Sequence, residues 1–429
     1  MKWIPTQLPH NQTLQQLAND LSTEQPFPIA LANILMQRGI TTYQQAKNFF
    51  VPQKTDLYDP FLMKGMKEAT ERVLQAKRNH EKVLIYGDYD VDGTTSVALM
   101  SLFLQDWKVD FEFYIPDRYT EGYGISFKGI DYAKKIDAKV IISLDCGIKA
   151  NDKVAYSNEQ GIDFIICDHH TPGAELPEAL AVLDPLRPDC TYPYKDLSGC
   201  GVGLKLAVAL TKTFHEAGFE LPSPDYDVVD KYCDLVTLSI ACDLVSIAGE
   251  NRILAHYGLR KLRTNPSEGI KAIMNLSKIE RKWDINDLVF FVGPRINSAG
   301  RLSHAKDAVE VLLGRSEFLS NLASDLHDAN DERRNIDTET TTEAVSFIEG
   351  DAEYKKKVTT VLYNPNWHKG VIGIVASRLI EKYYRPTILF TLSDGKLVGS
   401  ARSVAGFDLY AALEQCSEHL VQFGGHKYA

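Results

Sequence analysis

The sequence lacks any long apolar run. Within its 429 residues the longest apolar stretches, such as residues 140–144 and 371–376, are far too short to cross a bilayer. The first ten residues, MKWIPTQLPH, lack the apolar centre of a signal peptide. We therefore expect neither a transmembrane helix nor a signal peptide, and no membrane among the partners.

Cysteine is also scarce, and no CxxC pair is present among the seven cysteines. This usage predicts reduced thiols and a cytoplasmic location. The 44% apolar and 24% charged residues exclude a disordered or fibrous chain, and the length predicts two or three domains. A net charge of −10 argues against a generic basic coat for nucleic acid, but it leaves room for a local basic groove.

Short apolar segments alternate with helical patterns along the first half of the chain. This alternation predicts an α/β fold with a parallel sheet, which places ligands at the carboxyl ends of its strands. The predicted strands are residues 82–86, 109–115, 139–144 and 163–167. A second α/β unit is predicted from residue 358 onward.

Helical patterns divide the rest of the chain. We expect an N-terminal helical segment (1–60), a catalytic α/β domain (61–315), a long polar connector helix (316–350) and a smaller α/β domain (351–429). The chain ends at residue 429 without a polar tail. We therefore expect a C-terminally truncated chain.

Three of the predicted strands are followed by acidic or imidazole side chains. Asp88, Asp90 and Asp92 follow the first strand, Asp145 follows the third, and Asp168-His169-His170 follows the fourth. Carboxylates crowded at one sheet edge repel each other, and divalent cations relieve that repulsion. Oxygen ligands with imidazole suit Mn²⁺ or Mg²⁺, and two such ions about 3.5–4 Å apart can clamp a phosphoryl group in hydrolysis.

A calcium loop is the alternative interpretation of the first acidic cluster. Asp88, Asp90, Asp92 and Gly93 fit positions 1, 3, 5 and 6 of an EF-hand loop. The last position would be Leu99 rather than glutamate, and no helix is predicted before the loop. The pattern therefore favours the strand-end site.

Four short segments resemble the motifs of the DHH phosphoesterase superfamily. They are GDYDVDGTTS (87–96), SLDCGI (143–148), CDHH (167–170) and SIACDLV (239–245). Within it, the chain is similar to the RecJ family of single-strand-specific 5′→3′ DNA exonucleases on IPDRYTEGYG (115–124), GPRINSAGRL (293–302), WHKGVIGIVASRL (367–379), GSARS (399–403) and FGGH (423–426). The resemblance implies a DHH domain joined to a DHHA1 domain. Complete members continue into an oligonucleotide-binding barrel, which we expect to be missing here.

The resemblance also implies roles for individual residues. Asp145 would bridge two ions, His170 would lie beside the reacting phosphate, and Asp168 would orient a histidine. Many relatives carry histidine where this chain has Tyr86, so Asp88 or water would complete one metal shell. The implied metal ligands are Asp90, Asp92, Asp145, His169 and Asp243, with Asp88 as the additional candidate.

Substrate binding is expected at arginine-containing, glycine-rich segments. Glycine lets the backbone approach a phosphate closely, and arginine binds phosphate in bidentate fashion. Residues 251–315 also contain twelve Lys or Arg against six Asp or Glu, which predicts a basic path for a polyanion. The candidates are Arg118, Tyr123, Arg295, Arg301, Ser400, Arg402, Gly424, Gly425 and His426.

The predicted function is a metal-dependent exonuclease that degrades single-stranded DNA from 5′ to 3′ in DNA repair and recombination. The alternatives are a DHH phosphodiesterase of short oligonucleotides or cyclic dinucleotides, a scaffold without catalysis, and a pyrophosphatase. The retained carboxylates argue against a scaffold. The expected protein partners are a single-strand-binding protein and a helicase, and the expected state is a monomer.

Overall fold

The computed structural model describes residues 11–393, 395–421, 423, 425, 427 and 428. Three short helices form the N-terminal segment: α1 (Asn11–Leu21), α2 (Ile29–Gln37) and α3 (Tyr43–Phe50). They bury a small core of their own around Leu17, Ala32 and Leu35.

A five-stranded parallel sheet is the centre of the first lobe. Its spatial order is β2-β1-β3-β4-β5, so the first, third and fourth strands are direct neighbours. This arrangement confirms the predicted parallel α/β fold. The strands are β1 (Lys82–Gly87), β2 (Phe111–Tyr114), β3 (Ala138–Leu144), β4 (Asp163–Cys167) and β5 (Ala181–Leu183).

The strand β5 was not predicted from the sequence. It has only three residues, too few for a periodic pattern to be read, and it is recognised by its parallel pairing with β4. β5 adds a fifth strand to the hydrogen-bond ladder of the sheet. Beyond the paired residues, its Leu183 carbonyl accepts a hydrogen bond from the Asp168 amide at 3.0 Å. β5 therefore supports the segment that carries the paired histidines.

Helices cover both faces of this sheet. The larger core lies on the face of Val83 and Ile85, and the smaller core lies on the face of Leu84 and Tyr86. The helices of this lobe are α4 (Met66–Asn79), α5 (Val91–Asp106), α6 (Phe127–Lys135), α7 (Asn151–Glu159), α8 (Gly199–Glu216), α9 (Val228–Cys242), α10 (Gly249–Thr264), α11 (Glu268–Met274), α12 (Ile285–Asp287), α13 (Gly293–Leu302) and α14 (Ala305–Leu313). Short 3₁₀ turns span Lys54–Asp56 and Pro60–Leu62, and a π-helical turn spans Leu288–Val292.

A 32-residue helix, α15 (Leu319–Gly350), joins the two lobes, as the polar stretch predicted. The second lobe has a sheet of order β6-β7-β8, in which β6 and β7 are parallel and β8 is antiparallel to β7. Its core packs Ala344 and Ile348 of α15 against Trp367 and Leu379. Its elements are α16 (Ala352–Lys356), β6 (Thr360–Tyr363), α17 (Ile372–Tyr383), β7 (Thr387–Ser393), β8 (Lys396–Arg402), α18 (Leu409–Glu414) and a 3₁₀ turn at Ser417–His419.

Candidate active site

The acidic segments meet at the carboxyl edge of the first sheet. Because β1, β3 and β4 are adjacent and parallel, the residues that follow them lie side by side. The Asp145 amide continues the ladder with a hydrogen bond to the Cys167 carbonyl at 2.9 Å. Asp243 joins them from another element, as the residue that caps the C-terminus of α9.

Asp145 lies at the centre of this edge in a conformation that few residues adopt. Its φ is +63°, in the left-handed region, which Asp and Asn tolerate better than most residues. The first residue of α8, Gly199, packs directly against it. A Cβ atom at Gly199 would lie 2.7 Å from the Asp145 Cβ, so only glycine fits there without displacing Asp145.

Asp92 is held by three donors. Its carboxylate accepts hydrogen bonds from the amides of Gly199 at 2.7 Å and Cys200 at 2.8 Å, and from the Ser239 hydroxyl at 2.7 Å. Asp90 caps α5, with its carboxylate accepting from the Gly93 amide at 3.1 Å. These bonds orient both carboxylates before any ligand arrives.

The two histidines have different surroundings. His169 Nε2 lies 3.1 Å from an oxygen of Asp145 and 3.6 Å from oxygens of both Asp92 and Asp243. His170 Nδ1 instead contacts Asp168 at 2.8 Å. His169 therefore points into the carboxylate cluster, whereas His170 lies at its margin.

Asp168 is saturated with donors and orients the segment that follows it. Its oxygens accept from the amides of Ile148, His169 and His170 as well as from the His170 ring. Burial opposes charge on His170, but the hydrogen bond and the charge of Asp168 outweigh burial and raise the His170 pKa to about 9. His170 is therefore a cation at neutral pH in the metal-free protein.

Asp88 is the least satisfied carboxylate of the edge. It is 1% exposed, and neither oxygen receives a hydrogen bond of good geometry, although the amides of Tyr89 and Gly124 lie near. Burial and the neighbouring Asp90 raise its pKa well above the usual range. A buried carboxylate left this way needs either a proton or a cation.

Burial and repulsion between like charges also raise the pKa values of other carboxylates in the cluster. Burial is the largest cause that raises the pKa of Asp145, followed by the charges of Asp92, Asp90 and Asp88. Burial and Asp92 likewise raise the pKa of Asp243 to about 7. When deprotonated, the cluster therefore concentrates negative charge that the surrounding protein groups do not fully neutralise.

Three overlapping sets of side chains could each hold a metal ion, since their ligand atoms lie within 4.8 Å of one another. Asp145 and His169 each belong to two of the sets, and none of the sets contains a cysteine. Carboxylate oxygens, joined by one or two imidazoles in two of the three sets, match the preference of Mn²⁺ and Mg²⁺. The sets are Asp145-His169-His170, Asp92-His169-Asp243 and Asp88-Asp90-Asp145.

A loop between β2 and α6 carries two of the predicted substrate residues to this edge. The Tyr123 side chain is 59% exposed, and its hydroxyl lies 3.4 Å from His170 Nε2. The Arg118 guanidinium stacks over the Tyr89 ring at 4.8 Å. Both side chains therefore border the metal cluster.

Arginines from both lobes face the same region. Arg301 donates to the Gly370 carbonyl at 2.9 Å, across the boundary between the lobes. Burial, followed by the charges of Arg118 and Arg333, lowers the Arg301 pKa to about 10. Burial and the Arg118 charge lower the Arg402 pKa as well. Arg118, Arg301 and Arg402 thus form a group of like charges that would accept an anion.

Ser400 and Arg402 lie on β8, beside the beginning of α17. A Cβ atom at Gly373 would lie 2.8 Å from the Ser400 hydroxyl and 3.2 Å from Arg402 Nη2. Gly425 has a φ of +147°, which favours glycine. Gly424 and His426 lie outside the described residues.

Arg295 is placed away from this group. It is 5% exposed, stacks on the Phe291 ring at 3.5 Å and contacts His327 of α15 at 3.1 Å. This placement favours a role in packing α13 against α15. Its predicted contact with the substrate stays a prediction that burial disfavours.

Sequence patterns missed three contributors to the site. Ser239 lies four residues before Asp243 on α9, a spacing that puts both on one helix face and could have revealed it. Asp184 follows β5 and is fully buried, and burial raises its pKa to about 7. The Tyr86 hydroxyl donates to the Gly124 carbonyl at 3.0 Å, which anchors the loop that carries Tyr123.

In the part of the chain that the structure describes, no helix is long and apolar enough to cross a bilayer. Models of known families match two parts of the chain: the N-terminal domain of the DHH family matches residues 82–240, and the DHHA1 domain matches residues 355–429.

Known relatives match nearly the whole chain. This chain is 39% identical over 403 residues to the single-stranded-DNA-specific exonuclease RecJ of Bacillus subtilis. The aligned region covers 93% of this chain and 49% of that protein. It is 35% identical over 424 residues to the RecJ of Dickeya dadantii, with 95% of this chain and 72% of that protein covered. The chain thus spans about half the length of the B. subtilis relative.

The fold is similar to that of Thermus thermophilus RecJ, for which crystal structures in complex with Mn²⁺ and with Mg²⁺ are known. The TM-scores are 0.80 and 0.74, at 27% and 25% sequence identity. Both alignments cover 98% of this chain, and they cover 58% and 56% of the matched chains.

Proposed function

The chain belongs to the RecJ family, and we propose that it hydrolyses phosphodiester bonds of single-stranded DNA from the 5′ end, releasing 5′-mononucleotides, in DNA repair and recombination. One observation carries the proposal: a buried cluster of carboxylates and His169 lies beside a group of arginines contributed by both lobes. The cluster suits cations, and the arginines suit the phosphates of a strand.

We assign two divalent ions, Mn²⁺ or Mg²⁺, to the overlapping sets. Asp145 belongs to two of the sets, and its two carboxylate oxygens would let it hold both ions. His169 also belongs to two sets, but one ring nitrogen has a single lone pair and would hold one ion only. The unpartnered oxygens of Asp88 make it a ligand candidate in addition to Asp90, Asp92 and Asp243. When bound, such ions supply positive charge and Lewis acidity for attack of water on phosphorus.

The protein's own residues then position the substrate. His170, oriented by Asp168 and next to Tyr123, donates a hydrogen bond to a non-bridging oxygen of the scissile phosphate. Tyr123 offers an exposed ring on which a base can stack. The bonds from Gly199, Cys200 and Ser239 hold Asp92 in place, so little reorganisation accompanies binding.

The arginine group would recognise the terminal 5′-phosphate. Arg402 and Ser400 face it from the second lobe, and Arg118 and Arg301 face it from the first lobe. The backbone near Gly425 lies close by, since the Ser403 amide donates to the Tyr428 carbonyl at 2.9 Å. A terminal phosphate carries more charge than an internal diester, so this group would select the 5′ end.

The remaining expectations stay proposals. A single-strand-binding protein and a helicase are the proposed protein partners, the proposed state is a monomer, and the proposed location is the cytoplasm. The role of the arginines in choosing the strand end is independent of all four.

The test is digestion of single strands labelled at either end, with Mn²⁺, Mg²⁺ or EDTA. We expect mononucleotides from the 5′ end with either ion and no product with EDTA. The Asp145→Asn variant, which keeps the shape and tolerates the left-handed backbone, should give no product. Release from the 3′ end, or cleavage of only the shortest strands, would refute the proposal.

A further inference from the structure

The basic segment predicted at residues 251–315 separates into paired and unpaired cations. Lys261, Lys271 and Arg281 form ion pairs with carboxylates. Arg252, Arg260, Arg263 and Lys282 form none with a described residue. Other cations of the segment, among them Arg301 of the cleft, are also without an ion pair to a described residue. Arg260, Arg263 and Lys282 differ from them because all three line one groove.

Three of these unpaired cations, Arg252, Arg260 and Arg263, lie in one line on α10 together with His256. Positions 252, 256, 260 and 263 are four, four and three residues apart, so their side chains share one face of the helix. We call Arg252, His256, Arg260 and Arg263 the α10 stripe. It extends about 16 Å along the helix axis, at 1.5 Å per residue.

A groove runs beside the distal half of the stripe. Its volume is about 470 Å³, and most of its lining residues are exposed. Lys282 faces the stripe from the segment before α12, where the Arg263 side chain donates to the Trp283 carbonyl at 2.7 Å. The lining consists of His256, Leu259, Arg260, Arg263, Thr264 and Lys282.

The arginines of this surface lie close enough to His256 for their charges to lower its pKa. Burial lowers the pKa of His256, and the charges of Arg252, Arg260 and Arg263 lower it further. The Arg252 pKa is lowered by burial and then by Arg38 of the N-terminal segment. The stripe is thus a region of positive potential on a chain whose net charge is −10.

One helical hairpin carries both Asp243 of the metal cluster and the α10 stripe. Asp243 caps the end of α9, and α10 begins at Gly249, so only a short loop separates them. Gly258 of α10 packs closely on Cys233 and Thr237 of α9, which fixes the two helices side by side. Arg263 lies about 20 Å along the axis from the start of α10.

We infer that the α10 stripe and Lys282 form a second binding surface for the phosphate backbone of a single strand, outside the cleft. Regularly spaced arginines match the regular charges of a strand, and each guanidinium can bind a phosphate with two hydrogen bonds. The inference rests on the proposed function, because it assigns to this surface the downstream part of the same strand.

The surface has a specific consequence for strand length. A dinucleotide held at the metal cluster spans much less than the about 20 Å that separate the start of α10 from Arg263. A strand of about thirty nucleotides spans far more, at about 3.4 Å for each stacked nucleotide. The stripe therefore contributes to the affinity for long strands and not to the cleavage of short ones.

The test compares Arg260→Glu/Arg263→Glu with the wild-type chain. A matched control is Lys134→Glu/Lys135→Glu, which changes charge equally at two exposed lysines at the end of α6. Binding of both strands is measured by fluorescence anisotropy in EDTA at several salt concentrations. Cleavage of the short strand is measured with Mn²⁺.

We expect the stripe variant to bind the long strand at least about tenfold more weakly. The slope of log affinity against log salt should become shallower by about 0.7 for each phosphate that the variant no longer neutralises. Cleavage of the short strand should stay within about twofold, and the control should lose much less affinity. The milder Arg260→Gln/Arg263→Gln variant should show a smaller loss of the same kind, which guards against misfolding as the cause.

Three results would overturn the inference. The first is an equal loss of affinity for the long strand in the stripe and control variants, and the second is an unchanged affinity in the stripe variant. The third is a stripe variant that binds poly-glutamate more weakly than the wild-type chain does but binds the strand equally well. The last would assign the surface to an acidic protein. If the wild-type chain cleaved no strand, the proposed function would fail, while the binding measurement would still decide the inference.

Discussion

At the proposed 5′-phosphate site, the surroundings of one arginine lead to a test of strand-end selection. Arg402 lies among like charges, and burial is the largest cause that lowers its pKa, so it gains from an anionic partner. Ser400 lies two residues before it on β8, and both side chains contact the beginning of α17 at Gly373. The proposed choice of the strand end therefore depends on a pair of residues from the second lobe.

We predict that Arg402→Ala slows cleavage of 5′-phosphorylated strands about ten- to a hundredfold, because a charged hydrogen bond contributes roughly 1.5–3 kcal/mol. Strands with a 5′-hydroxyl should lose much less. The measurement is a pair of rates on the two substrates, with Lys396→Ala, at the exposed start of β8, as the control. Equal slowing on both substrates would place end selection elsewhere.

Tyr86 is fully buried and holds the loop that carries Arg118 and Tyr123. Its buried hydroxyl donates to the Gly124 carbonyl and accepts from the Ser126 amide at 3.1 Å. The Tyr86 side chain therefore anchors this loop through two backbone groups.

We predict that Tyr86→Phe raises KM for single strands and lowers the free energy of unfolding by about 1–3 kcal/mol, because two buried backbone groups lose their partner. Affinity for Mn²⁺ should not change. Tyr156→Phe, which removes an exposed hydrogen bond to Asp131, is the matched control. An unchanged KM in a destabilised Tyr86→Phe protein would show that the loop keeps its position without this hydroxyl.

At the scale of elements, α15 determines how the lobes are joined. Asp337 is fully buried in the middle of this helix and lies 2.7 Å from Arg378 of α17. Arg333, one turn earlier, lies 3.9 Å from the same carboxylate. One carboxylate thus ties the connector helix to the second lobe.

Asp337→Asn should lower the free energy of unfolding by about 1–2 kcal/mol, less than for a fully buried pair because the Arg378 side chain is half exposed. Glu339→Gln, at an exposed position of the same helix, should have little effect. Urea unfolding of both variants checks this. Equal stability of the two would mean that apolar packing alone holds the lobe to α15.

At the scale of the whole molecule, the carboxylate edge costs stability when no cation is bound. The folded chain raises the pKa of Asp145, Asp88 and Asp243 above their unfolded values. The folded metal-free state therefore binds more protons than the unfolded state. The stabilisation that these extra protons give the folded state is fully present below the unfolded pKa, about 4. It is lost as the pH rises through the folded pKa values, about 7 for Asp243.

We predict that in EDTA these groups lower the melting temperature as the pH rises from about 5 to about 8. Mn²⁺ should raise it more at the higher pH, since ions and protons compete for the same oxygens. Thermal unfolding at both pH values, with and without Mn²⁺, measures this. An equal rise in melting temperature on adding Mn²⁺ at both pH values would contradict the prediction. In the Asp145→Asn variant, the dependence of the melting temperature on pH and its rise with Mn²⁺ should both be smaller.

Most strands of the first sheet and most acidic residues of the site could be predicted without the fold. Strand and helix patterns are local, so β1, β3, β4 and α15 could be predicted from periodicity. The acidic residues after these strands indicated a metal site because parallel strands end on the same edge. Asp243 was assigned only by resemblance to the family, since the end of a helix has no pattern that marks a ligand.

Contacts between distant segments could not be predicted in this way and became known from the fold. It placed β1 beside β3 and β3 beside β4, added β5, and brought Arg118, Arg301 and Arg402 together from separate parts of the chain. It also buried Arg295 and left the α10 stripe unpaired. The physical reason is that local sequence sets the backbone preference, whereas burial and charge pairing depend on which surfaces the complete fold packs together.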